Sequence, residues 1–272
     1  MVFQLQKISN YGTSTPAVAR TLLQGSEILM FFSSTDEQRK AAEVVLYDFQ
    51  RHLLRCVEVK DRIASEINVG KEQVKKNGFE FQSNGRAVTL PGVPDLQSSA
   101  ESFLQSAKLA IRETARLFEP FYKVRHDHRF RKLITWAEKE FKKEDVFTQV
   151  IREWEPWVKR IVDMRNAVDH PADRPGGKLL TQNFRLSGTQ EKPVLVDPTW
   201  SLSGEPESII LQDLDAIIES IIVLGEDILI GLFCKLKIDF PLVIVQIPTE
   251  ERDPCCPIRL RVTLPQDAPA PE

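Results

Sequence analysis

The sequence predicts a mainly α fold, an up-and-down helical bundle with inserted β-hairpins and a C-terminal β-hairpin. Three observations carry this expectation. Apolar residues recur at helical spacing over long stretches, as in Val45, Leu46, Phe49, Leu53, Val57 and Ile63. Strand-like alternation is confined to short runs bounded by turn residues. The most apolar stretch, from about Ile209 to Phe233, carries apolar residues around most of its circumference. That suits a central bundle helix, or one buried between two subunits.

The elements follow in order. Residues up to Gly12 form a short strand or an arm. Thr15-Pro16 starts the first helix with a capping hydroxyl and a proline in the first turn. Ser34-Thr35-Asp36-Glu37 starts a second, long helix that runs to about Ile67. Asn84-Gly85, between alternating residues, predicts a type I′ hairpin over about 79–90. After Pro94, Asp95 caps a helix that ends near Pro120, with Phe103, Ala107, Ile111 and Phe118 on its buried side. A basic connector, KVRHDHRFRK, leads to a shorter helix marked by Leu133, Trp136 and Phe141. Val146 to Val168 reads as one further helix, bent at Pro156, with Trp154 and Trp157 in the core. Residues 179–186 and 192–200 pair as a second hairpin insertion, about 179–200. The apolar helix then spans about Glu207 to Cys234. Two strands lie within about 237–264, and the tail 265–272 is expected to be mobile. No linker or internal repeat stands out, so residues 1–264 read as a single helical domain.

Composition narrows the function. At 272 residues, with 42% hydrophobic and 28% charged, the chain can bury a sizeable core. A net charge of -3 excludes a strongly basic coat for nucleic acid but allows a local basic patch. The first residues lack the long apolar run of a signal peptide. Asp213, Asp215, Glu219, Glu226 and Asp227 interrupt the apolar helix, so no membrane association is expected. Cys56 and Cys234 read as buried thiols, and adjacent Cys255 and Cys256 lack metal or redox spacing. Cytoplasmic residence follows as the expectation.

The stretch with the most chemistry in it is IVDMRNAVDHP, residues 161–171. In a continuous helix Arg165 and His170 would point about 140° apart, at roughly 100° per residue. His170 precedes a proline, which disfavours the α conformation there and ends the helix. The imidazole can then leave the helical track and approach Arg165 or a partner subunit. This pairing suits metal-free RNA cleavage. A phosphodiester needs a fixed cation, and the Arg165 guanidinium is a planar fork that keeps its charge. The 2′-hydroxyl needs a base and the leaving 5′-oxygen an acid, and histidine serves both near neutrality. Asn166 can donate to the phosphate or to His170, and Asp169 can orient the ring. The same residues also admit a structural reading, with Arg165 paired to Asp169 across one turn and His170 as a cap. In the connector, Lys123, Arg125, Arg129, Arg131 and Lys132 could follow an RNA backbone, with Phe130 stacking a base. His126 and His128 would share a face if extended, but no third ligand is identified, so no metal is expected. There is no Walker-type or Rossmann glycine loop and no Gly-x-Ser-x-Gly elbow, and no cofactor is expected.

The arrangement Arg165-Asn166…His170-Pro171, at the end of a long helix, resembles the R-x4-6-H signature of the HEPN superfamily. The resemblance implies an up-and-down helical bundle, commonly dimeric, with its core at about residues 95–235. It implies a metal-independent endoribonuclease in which Arg165, Asn166 and His170 form the site. Such domains act as toxins or phage-defence effectors, so RNA, a second copy of the chain and an antitoxin or other regulatory protein are the implied partners. Other members are catalytically silent and act as interaction or nucleotide-binding modules.

Overall fold

Thr35 and Gln38 show how local chemistry sets the longest element. The Thr35 hydroxyl accepts the Gln38 amide N–H at 3.2 Å, and the Gln38 side chain accepts the Thr35 N–H at 3.0 Å. This reciprocal capping box satisfies two donors that a helix start otherwise leaves open. Helix α3, Asp36–Asn77, begins there. It outruns the expected end near Ile67 by more than two turns and stops at Gly78, whose φ of 70° suits a residue without Cβ.

The computed structural model describes residues 9–82, 87–124, 129–169, 177–189 and 192–265. The chain is mainly helical, with small antiparallel strand pairs. Before α3 come α1 (Pro16–Val18), a π-helical segment (Ala19–Leu23) and α2 (Gln24–Leu29). Thr15 provides no side-chain cap, contrary to the expectation; its carbonyl accepts from Val18 and Ala19 instead. After α3 come α4 (Leu96–Arg116), α5 (Glu119–Tyr122), α6 (Phe130–Glu140), α7 (Val146–Glu153), α8 (Glu155–Asp169) and α9 (Ile210–Leu236). The stretch 146–168 is therefore two helices, divided at Trp154. Pro156 in the first turn of α8 has no N–H to continue a ladder from α7. Trp154 and Trp157 are half-buried rather than fully in the core.

Three expected hairpin regions contain strands. Strands β1 (Glu80–Gln82) and β2 (Ala87–Thr89) pair antiparallel, Phe81 opposite Val88; the Asn84-Gly85 turn lies outside the described residues. The second region is more divided than expected. Strand β3 (Leu179–Gln182) pairs with β6 (Thr199–Leu202), and β4 (Arg185–Gly188) with β5 (Pro193–Val196). A short β7, Ser208–Ile209, adds to β6. The break has a cause in Asn183, whose Oδ1 accepts from Val93 N and Phe184 N, each at 2.9 Å, while its Nδ2 donates to Val93 O at 2.9 Å. Pro198 has no N–H to offer on the opposite side. At the C-terminal end β8 (Val243–Gln246) pairs with β9 (Leu260–Thr263), shorter than the strands expected there.

Two compact units emerge. One comprises Met1–Leu54, Leu109–Glu155 and Ile221–Glu272; the other comprises Arg55–Lys108 and Pro156–Ser220. Their boundaries fall within helices α3, α4, α8 and α9 rather than in a linker. The first unit buries Phe32, Leu46, Phe49, Phe118 and Leu229, and its rings of Phe118, Tyr122, Trp136, Phe141 and Phe147 form one aromatic cluster. Burial pushes the Tyr122 hydroxyl up to about 12, with Glu140 adding to the shift. Gly231 of α9 lies against the Phe147 ring so closely that a Cβ would enter it. The second unit buries Ile63, Ile67, Phe103, Leu104 and Trp200.

Helix α9 buries Ile210, Leu214, Ile217, Ile218, Ile221, Ile222, Leu224, Ile228, Leu229, Leu232 and Phe233 within its own chain. Its apolar circumference is therefore covered within the chain and gives no argument for a second subunit. Cys56 is buried, as expected, and burial pushes its thiol up. Cys234 is exposed, against expectation, because its position on α9 falls next to Lys235 on the solvent side. Among the described residues no helix is long and apolar enough to cross a membrane.

Candidate functional site

Helix α8 turns Val158, Ile161, Met164 and Ala167 into the core, a spacing of three that keeps one stripe buried. Arg165 and Asn166 flank this stripe and are half-buried. Both meet the same face of α4. The Arg165 Nε donates to Gln105 Oε1 at 2.6 Å, and Lys108 Nζ donates to Asn166 Oδ1 at 3.3 Å. Gln105 and Lys108 are three positions apart, so one helix face presents both. The guanidinium also donates through NH1 to Asp169 Oδ2, one turn further along α8. All five residues belong to the same compact unit.

The structure thus brings together Arg165, Asn166 and Asp169 of the anticipated site. Helix α8 ends at Asp169, immediately before the His170-Pro171 pair; His170 itself lies outside the described residues. The ion pair between Arg165 and Asp169 is the contact that the structural reading requires. Gln105 and Lys108 were missed by sequence reasoning, and no local signal marks them: they sit at ordinary positions of an amphipathic helix.

The basic connector fares differently. Lys123, Arg129, Arg131 and Lys132 are exposed, and Arg125 lies outside the described residues, as do His126 and His128. Lys123 takes a left-handed φ of 54° and lines a surface pocket of about 400 Å³ with Arg116, Glu119 and Pro120. Arg131 forms a long ion pair to Glu155 at 3.8 Å. Phe130 is buried at 7% exposure, so it cannot stack a base, which corrects the expectation. It is drawn inward as the first residue of α6, whose apolar face is Phe130, Leu133, Ile134 and Ala137.

A second polar constellation is more deeply buried. Glu226 of α9, 2% exposed, accepts Arg20 Nε and NH2 at 2.9 and 2.8 Å. Gln24 Nε2 and Arg259 NH1 complete its shell at 3.1 and 3.0 Å. Gln24 Oε1 in turn accepts the backbone N–H groups of Arg259 and Leu260, each at 2.7 Å. Both carboxylate oxygens are saturated, so this cluster fixes the start of β9 to α9 and to the π-helical segment and leaves nothing for a ligand. Next to it, burial raises the Asp227 carboxyl, opposed by the Trp154 indole, which donates to it at 2.8 Å.

Among the described residues no group of three or more His, Cys, Asp or Glu side chains is placed to hold a metal ion. Comparison with protein-family models, curated proteins and solved structures gave no match.

Proposed function

We propose that this chain is a HEPN-type, metal-independent endoribonuclease that acts as a toxin or phage-defence effector. The observation that supports it best is the polar group at the end of α8, where Arg165 and Asn166 stand together with Lys108 immediately before His170. In this reading an RNA phosphate takes the place of the Asp169 carboxylate on the Arg165 fork. Asn166 positions the phosphate. His170 takes the proton of the 2′-hydroxyl; the 2′-oxygen attacks phosphorus, the bond to the 5′-oxygen breaks, and that oxygen takes up the proton. The products are a 2′,3′-cyclic phosphate and a 5′-hydroxyl, and no metal takes part. The up-and-down bundle, cytoplasmic residence, a homodimer and an antitoxin or other regulatory partner belong to the same proposal. Dimerisation rests on the single Arg/His set per chain, because a two-fold axis would double it.

A second reading has one observation in its favour. Asp169 and Gln105 already occupy the Arg165 guanidinium, which is the structural role of this residue and would leave the chain without nuclease activity, as an interaction or nucleotide-binding module or as a helical protein unrelated to RNA. His170→Ala separates the two. For the nuclease, cleavage of single-stranded RNA should fall by about 10²- to 10⁴-fold and the wild type should keep its activity in EDTA. Undiminished cleavage by His170→Ala, or cleavage lost to EDTA and restored by a divalent ion, would sink the assignment.

A further inference from the structure

Cleavage by 2′-hydroxyl attack changes the charge that the site faces. A phosphodiester carries one negative charge, whereas the pentacoordinate state formed by the 2′-oxide carries two. One guanidinium matches the first; a second cation matches the charge that appears only on the way to the transition state. Lys108 is such a cation. It reaches the end of α8 from a different helix, with its Nζ 3.3 Å from Asn166 Oδ1. It is half-buried, so its ammonium is held in place rather than waving in solvent. Its hydrogen bond to Oδ1 also holds the Asn166 amide. Within the set Gln105, Lys108, Arg165, Asn166 and Asp169 the formal charge is +1, from two cations and one carboxylate.

We propose that Lys108 is a phosphate-binding residue of this site, matched to the dianionic transition state of RNA cleavage. The proposal rests on the endoribonuclease reading above. It assigns a role on α4 that the Arg165…His170 spacing does not contain.

The test uses the full chain and a mixed-sequence single-stranded RNA oligonucleotide. Lys108→Met keeps the apolar stem and removes the charge; Lys108→Arg keeps the charge. Lys108→Met should lower kcat by about 10- to 100-fold with KM changed by less than about threefold, the split expected of a transition-state contact. In a His170→Ala background, where only the ground state forms, Lys108→Met should change RNA affinity by less than about threefold. Lys108→Arg should recover most of kcat. A Lys108→Met enzyme with wild-type kcat overturns the proposal, as does a Lys108→Arg enzyme no better than Lys108→Met, or a Lys108→Met loss that falls on KM rather than on kcat. If His170→Ala abolishes cleavage while Lys108→Met leaves it intact, the Lys108 role alone fails. If His170→Ala cleaves like the wild type, the nuclease reading itself fails.

Discussion

Asp169→Asn removes the carboxylate from the Arg165 guanidinium while keeping the shape of the side chain. The pair is an i,i+4 contact with side chains 22% and 36% exposed, so solvent screens it. Such pairs contribute about 0.3–0.5 kcal/mol to a helix. Asp169 is also the last residue of α8, where the helix dipole disfavours a negative charge by roughly 0.3–1 kcal/mol. The two effects oppose each other. The net change in stability should lie within about 0.5 kcal/mol, a shift in Tm of no more than about 2 °C for a chain of this size. Binding should respond more strongly. An RNA phosphate no longer has to displace Asp169, and it escapes repulsion of about 1 kcal/mol between two anions roughly 4 Å apart in water. Together these amount to about 1–2 kcal/mol, or roughly five- to thirtyfold tighter binding. Fluorescence anisotropy with labelled single-stranded RNA in a His170→Ala background measures the affinity, and thermal unfolding measures the stability. A fall in Tm of many degrees with unchanged RNA affinity would show that the pair is structural and that Arg165 does not bind phosphate.

The buried clusters supply two further expectations. Glu226→Gln leaves Arg20 and Arg259 without their carboxylate in an enclosed site, and should cost about 3–5 kcal/mol in a denaturation experiment; adding Arg20→Met should restore part of the loss, and a cost below about 1 kcal/mol would contradict the saturated geometry. Gly231→Ala gains about 1 kcal/mol of helix propensity but drives a methyl group into Phe147, and overpacking of this kind costs about 1–3 kcal/mol or more. Net destabilisation is expected, relieved by Phe147→Leu in the same chain; a more stable Gly231→Ala protein would show that α9 has room there.

Much of the helical layout is readable along the chain because its cause is local. The four-residue spacing of Phe103, Ala107 and Ile111 belongs to α4 whatever it packs against, and His170-Pro171 announces the end of α8. Legibility fails where the local signal weakens. The last turns of α3 carry NVGKEQVKKN, in which exposed Val69 and a run of polar residues blur the apolar stripe, so the helix reads as ending early. Phe130 looks like an exposed ring among arginines because nothing nearby reveals that α6 turns it inward. In the second hairpin region, the interruption at Asn183 depends on Val93, which is 90 residues away.

The same division runs through the candidate site. The sequence by itself determined that Arg165 and Asn166 stand on the final turns of a helix, ahead of a His170-Pro171 pair that disfavours its continuation, since backbone sterics act between neighbours. Only the tertiary structure decided what surrounds them. Gln105 and Lys108 are 60 and 58 residues from their partners, and the pairing exists because one face of α4 meets one edge of α8. Glu226 and Arg20 are 206 residues apart, and neither is remarkable in its own helix. Periodicity tells which side of a helix is buried. It does not tell which helix will cover that side or in what register, because that choice is made by side-chain packing summed over the whole core.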